Sequence, residues 1–149
     1  MIDAARIPLI MPSTQLRRMA KDQGGLPVIE TLKERVNADA ALVRRGRYLT
    51  TTFLLEAGDT AWLISIVEGR VVTAVRGPFV MPSWSFALRA PAAEWEKFFS
   101  GKPPPGSNDL FAMVRRRVLK TEGDLQVFMA HLRYFKEALA KLRGVGVAA

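Results

Sequence analysis

Cysteine is absent from the 149-residue chain, and histidine occurs once, at His131. The first absence excludes disulfides, thiolate metal sites and cysteine nucleophiles. The second leaves no histidine–cysteine set of the kind that holds a structural metal. Catalytic signatures are missing too: there is no G-x-S-x-G elbow, no Walker loop and no G-x-G-x-x-G. Asp59, Glu68, Glu94 and Asp124 are single carboxylates at turns or helix starts, where local structure already accounts for them. Long hydrophobic runs are lacking, and stretches such as Ala61–Val67 are too short to cross a bilayer. The apolar run Ile7–Met11 is followed, not preceded, by Arg17, Arg18 and Lys21, which is not the order of a secretory leader. Together these absences lead us to expect a soluble, cytoplasmic, non-enzymatic protein with no metal and no cofactor.

Apolar residues make up 49% of the chain, enough to bury a core in one domain of common size. The formal net charge is +8. It is concentrated at the ends: residues 1–50 hold 9 basic and 5 acidic side chains, residues 51–100 hold 4 and 5, and residues 101–149 hold 9 and 4. Such a surface attracts anions of several kinds, including nucleic acid, anionic lipid headgroups and acidic ligands. Nucleic-acid binding is not expected, because the aromatics sit at buried-looking positions and not among the arginines.

Residues 1–25 read as a tail, with a short helix over Thr14–Lys21. Leu26–Ala41 has helical spacing, with Val28, Ile29, Leu32 and Val36 on one face. Strands follow over Tyr48–Ala57, Thr60–Val67 and Arg70–Arg76. They are separated by Gly58-Asp59 and Glu68-Gly69, the pattern of an antiparallel meander. After the break at Gly77-Pro78 and Pro82, Ser83–Arg89 alternates, with Trp84, Phe86 and Leu88 on one side. Pro91–Ser100 reads as a short helix with Trp95, Phe98 and Phe99 on its apolar face. Asn108 suits the N-cap of a second short helix reaching Val114. Val118–Glu122 is a last strand, and Leu125–Leu142 the longest helix. At the junction, Gly123 allows a sharp turn and Asp124 suits an N-cap. The order of elements predicts an α+β fold.

Two sets of residues have both a structural and a functional reading. Arg115, Arg116 and Arg117 complement a helix C-terminus or form an anion site; Arg44, Arg45 and Arg47 read the same way. The aromatic and methionine residues either fill a core or line a cavity for an apolar ligand. Pro103–Pro105 reads as a stiff loop, since no second half of a P-x-x-P motif accompanies it.

The stretches WSFALRAPAAEWEKFFSGK (84–102) and VLKTEGDLQVFMAHL (118–132) resemble the sterol carrier protein 2 family of lipid-binding domains. TAWLISIVEGRVVTAV (60–75) is similar to that family's Trp-containing hairpin. The resemblance spans most of residues 41–142. It implies a five-stranded, mainly antiparallel sheet covered on one face by helices, in a domain over residues 26–143 with a short tail at 144–149. It also implies an apolar tunnel for a fatty acyl, phospholipid, sterol-like or quinone-like ligand, and no chemistry. Carried over position by position, the lining is Trp84, Phe86, Leu88, Trp95, Phe98, Phe99, Phe128, Met129 and Leu132. To these Phe111 and Met113 of the second short helix are added. Arg115, Arg116 and Arg117 are the candidates for holding a headgroup or touching an anionic membrane surface. Family members also include accessory proteins of quinone biosynthesis, so a scaffold with a protein partner is the alternative. Two departures stand out: Arg117 occupies a position where the family often has glycine, and the segment from Pro103 to Arg117 is longer than usual.

Overall fold

The computed structural model describes residues 26–143. The helix expected over Thr14–Lys21 lies outside them. Five strands form one sheet in the order β3-β2-β1-β4-β5. They are β1 (Thr51–Ala57), β2 (Thr60–Val67), β3 (Arg70–Arg76), β4 (Phe86–Ala90) and β5 (Lys120–Gly123). β4 runs parallel to β1, and the other pairings are antiparallel. The fold is therefore α+β with a mainly antiparallel sheet. β2 and β3 have the expected bounds, because each is closed by a two-residue turn. β1 starts later than expected: Leu49 is turned back on Gly46, and Tyr48 is 81% exposed.

The expected helix Leu26–Ala41 is divided. A 3₁₀ turn at Ile29–Thr31 leads into α1 (Leu32–Asn37), and a separate helix α2 (Ala40–Arg45) follows. The reason is Asp39, which adopts an extended conformation and accepts hydrogen bonds from the N–H groups of Ala41 and Leu42, both 3.1 Å. That is an N-cap, so a helix must begin there. Lys141 donates to the other carboxylate oxygen, and this hydrogen bond, with those of the cap, holds the Asp39 carboxyl below its ordinary pKa. The expected apolar face is intact, with Val28, Ile29, Leu32 and Val36 all buried. At the outer edge of the sheet, the Asn37 amide donates to the Val71 carbonyl and accepts from the Val71 N–H, both at 2.9 Å.

After β4 come α3 (Ala92–Phe99) and α4 (Leu110–Arg115). Asn108 does not cap α4. Asp109 holds the N-cap position, with no side-chain capping bond, and the Asn108 carbonyl instead accepts from Arg143. The long terminal helix is also interrupted: α5 (Leu125–Ala130) and α6 (Leu132–Ala140) meet at His131, which leaves helical geometry at φ −119°, ψ 29°. The interruption lets two segments aim their apolar faces separately, Phe128 from α5 and Phe135 from α6. The Tyr134 hydroxyl donates to the Gly69 carbonyl at 2.6 Å and ties α6 to the β2–β3 turn. Its burial raises the Tyr134 pKa to about 12.

Candidate functional site

Register sorts the sheet residues onto two faces. Phe53 opposes Ile64 on β2 and Phe86 on β4; the next row on the same face joins Trp62, Leu55 and Leu88. All six are buried, with at most 1% of their surface exposed. This is the face the helices cover. The other face carries Glu56, Arg89 and Glu122, where Arg89 pairs with both carboxylates. Those bonds, to Glu122 first and then Glu56, raise the Arg89 pKa above its ordinary value.

Above the covered face lies a cluster of rings. Phe53 and Phe86 stack with centroids 5.2 Å apart and planes 4° from parallel. Phe135 meets both edge-on, at 5.4 and 5.2 Å. Phe128 lies 5.5 Å from Phe86 and 5.9 Å from Phe135. A second cluster on α3 joins Trp95, Phe98 and Phe99 at 5.2–5.8 Å. The Trp95 indole N–H donates to the Glu56 carbonyl at 2.9 Å, which pins α3 to β1. Offset and edge-on contacts of this kind contribute about 0.5–1.5 kcal/mol each beyond area burial.

Of the residues singled out in the sequence, Phe86, Leu88, Trp95, Phe98, Phe99, Met113 and Phe128 meet in this one interior. Leu132 packs against it half-buried. Three others do not join it. Met129 and Phe111 are exposed, by 48% and 38%. Trp84 precedes β4, so strand alternation does not govern it; its ring lies 5.8 Å from the guanidinium of Arg89 on the opposite face. Phe135, one of the aromatics that either fill a core or line a cavity, belongs to the cluster, and so does Phe53, which was not singled out. Phe135 follows from its position seven residues beyond Phe128, whereas the apolar run Phe53-Leu54-Leu55 gives Phe53 no alternation to mark it.

The three arginines do not converge. Arg116 donates to the Gly106 carbonyl at 2.8 Å and to the Ser107 hydroxyl at 3.0 Å, and pairs with Glu94 at 3.5 Å. It is a strut for the long loop. Arg115 and Arg116 border an open groove of about 460 Å³ with Gly106, Asp109, Phe111 and Ala112. Arg117 has φ +64°. That left-handed conformation costs an L-residue about 1–2 kcal/mol and glycine almost nothing, which accounts for glycine at this position in the resembling family. Arg117→Gly is therefore expected to stabilise the protein by about 0.5–1 kcal/mol after the unfolded-state entropy of glycine is subtracted. Urea denaturation should show a higher midpoint at unchanged slope.

Asp124 caps α5 as expected, accepting from the N–H groups of Gln126 and Val127 at 3.2 and 3.4 Å. Asp124→Ala should cost about 1 kcal/mol, read as a drop in thermal midpoint; an unchanged midpoint would refute the cap's energetic role. Gly123 has φ +94°, so the turn does need glycine. Among the described residues no three His, Asp or Glu side chains are grouped to hold a metal ion, and no helix is long and apolar enough to cross a membrane.

No family model matches the sequence, and no curated protein matches it. Solved structures do match over most of its length. A crystal structure of sterol carrier protein 2 is 15% identical, covers 77% of this chain and 92% of its own, and superposes with a TM-score of 0.64. A conserved hypothetical protein of Thermus thermophilus, considered a candidate sterol carrier protein, is 12% identical over 81% and 90% of the two chains, with a TM-score of 0.62. The ubiquinone synthesis protein UbiJ-SCP2 is 19% identical over 88% and 94%, with a TM-score of 0.51. Identities this low speak to architecture alone, and the architecture is unambiguous: the chain has the sterol carrier protein 2 fold.

Proposed function

We propose that the protein is a non-catalytic cytoplasmic carrier that binds the apolar chain of a lipid between sheet and helices. The observation supporting this reading is the anchoring of α5. Of its six residues only Phe128 is buried, onto the Phe86 ring, and the helix hangs between the positive-φ Gly123 and the break at His131. Lifting this segment would bare the side of the Phe86 ring that Phe128 covers, while α6, which buries four residues, keeps Phe135 over Phe53. Undocking Phe128 forfeits about 2–3 kcal/mol, while each methylene taken out of water returns about 0.8. A chain of about four methylenes only breaks even. Eight contribute about 6 kcal/mol, before the costs of ordering the ligand. The carrier should thus select long chains, of fatty acyl, phospholipid, sterol-like or quinone-like type. Arg115 and Arg117 are exposed and suit transient contact with a headgroup or an anionic membrane surface.

A second reading is an accessory subunit of a lipid or quinone pathway whose interior stays filled. The close ring packing favours it, as does the likeness to a protein named for ubiquinone synthesis. Native mass spectrometry after incubation with a total lipid extract separates the two. A lipid adduct with long chains preferred is the expected result. No adduct, with a stable protein partner retained through purification, would overturn the carrier in favour of the subunit.

A further inference from the structure

Three side chains among the described residues have a buried polar atom without a hydrogen-bond partner: Glu30, Thr51 and Trp62. Trp62 differs from the other buried aromatics with polar atoms. Trp95 spends its indole N–H on Glu56, and Tyr134 its hydroxyl on Gly69. Trp62 has no exposed surface, and its Nε1 has no partner. A buried indole N–H nearly always finds an acceptor, and an unpaired one is a standing loss. Trp62 sits on the helix-covered face, opposite Leu55, and Leu55 lies two residues from Phe53. The donor is therefore one row, about 7 Å along the strand, from the aromatic floor. Thr51, whose hydroxyl is also buried and unpaired, lies one row to the other side of Phe53.

We infer that Trp62 is a specificity-determining residue of the proposed lipid site, donating its indole N–H to an uncharged oxygen acceptor on the ligand, an ester or ketone carbonyl. This rests on the carrier reading. The acceptor is uncharged because one neutral donor does not offset the desolvation of a carboxylate. Register pairs Trp62 with Arg76 on β3, a half-buried residue that borders a groove with Asp59. Phosphate and free carboxylate ends stay at the surface, and the carbonyl goes in with the chain.

The test measures methyl laurate and pentadecane, a pair of similar length, by competition against a fluorescent fatty-acyl probe. The wild-type protein should prefer the ester by about fivefold, the worth of one neutral hydrogen bond. Trp62→Phe removes the donor and should bring the preference to parity while pentadecane still binds. Because phenylalanine also leaves part of the indole volume empty, a second variant carries benzothienylalanine at position 62, which keeps the shape and lacks the N–H. It should likewise show parity. An ester preference retained by either variant, or no preference in the wild-type protein, overturns the role of Trp62 and leaves the carrier reading standing. If the wild-type protein binds the fluorescent probe and neither competitor displaces it, the role of Trp62 falls alone. Failure to bind any of the three overturns both.

Discussion

Phe86→Ala is expected to lower stability by about 3–5 kcal/mol, the range for emptying an aromatic site in a packed core. Phe86 is the ring on which the others depend. It stacks on Phe53, takes the edge of Phe135 and supports Phe128, all within 5.5 Å. Its strand is also held between β1 and β5, so little backbone collapse can fill the space. Chemical denaturation at equilibrium gives the number; a loss below about 1 kcal/mol would mean that the rings do not support one another. The carrier reading adds a second expectation. The vacated volume lies where an acyl chain would lie, so a fatty-acyl probe should raise the midpoint of the variant more than that of the wild-type protein. Equal shifts would argue that ligand and ring do not compete for the same space.

Gly123→Ala should cost about 3 kcal/mol. A methyl group at this position would lie 2.4 Å from the Ser85 carbonyl oxygen and 3.0 Å from the Phe86 Cα, and the residue has φ +94°. The strained backbone and the forced shift each contribute about 1–3 kcal/mol. The colliding atoms are backbone of the segment entering β4, so relief comes only by moving Phe86 or prising β5 and α5 outward. Hydrogen exchange should therefore accelerate across residues 125–130 before it does in β1 or β2. Gly101→Ala is the control: its added methyl meets nothing within 4 Å, and its effect should stay within about 0.5 kcal/mol. Similar losses in the two variants would rule out the close approach at residue 123 as the cause.

Local chemistry carried most of the fold. Gly58-Asp59 and Glu68-Gly69 end their strands wherever those strands pack, so β2 and β3 were readable to the residue. The Asp39 cap was readable too, since an Asp after Asn37-Ala38 is a helix-start signal, but the apolar spacing running through it suggested one continuous helix. The break at His131 has no such mark. It follows from Phe128 and Phe135 reaching the same ring from two directions, a demand set by the sheet and not by residues 125–142. The site divides along the same line. Spacing identified Phe86, Leu88 and the α3 aromatics as inward-facing. Phe53 was hidden in the run Phe53-Leu54-Leu55, where Leu54 on the opposite face is buried as well. No pattern in the chain says that Arg116 is engaged by Gly106 and Ser107, ten and nine residues away, or that the Trp62 N–H finds no partner among the described residues.

The amide of Asn37 has a consequence beyond its own two hydrogen bonds. By donating to and accepting from Val71, it does what a residue of a sixth strand would do, and does so on the outermost strand. At the opposite margin β5 is only four residues long and carries Lys120 and Glu122. Short, charged or occupied margins are how sheets avoid recruiting one another end to end. On the carrier reading proposed above, lifting α5 to admit a lipid would bare part of the Phe86 ring each time the protein loads. Margins occupied at Val71 and short and charged at β5 would then offer a neighbouring copy little edge to pair with.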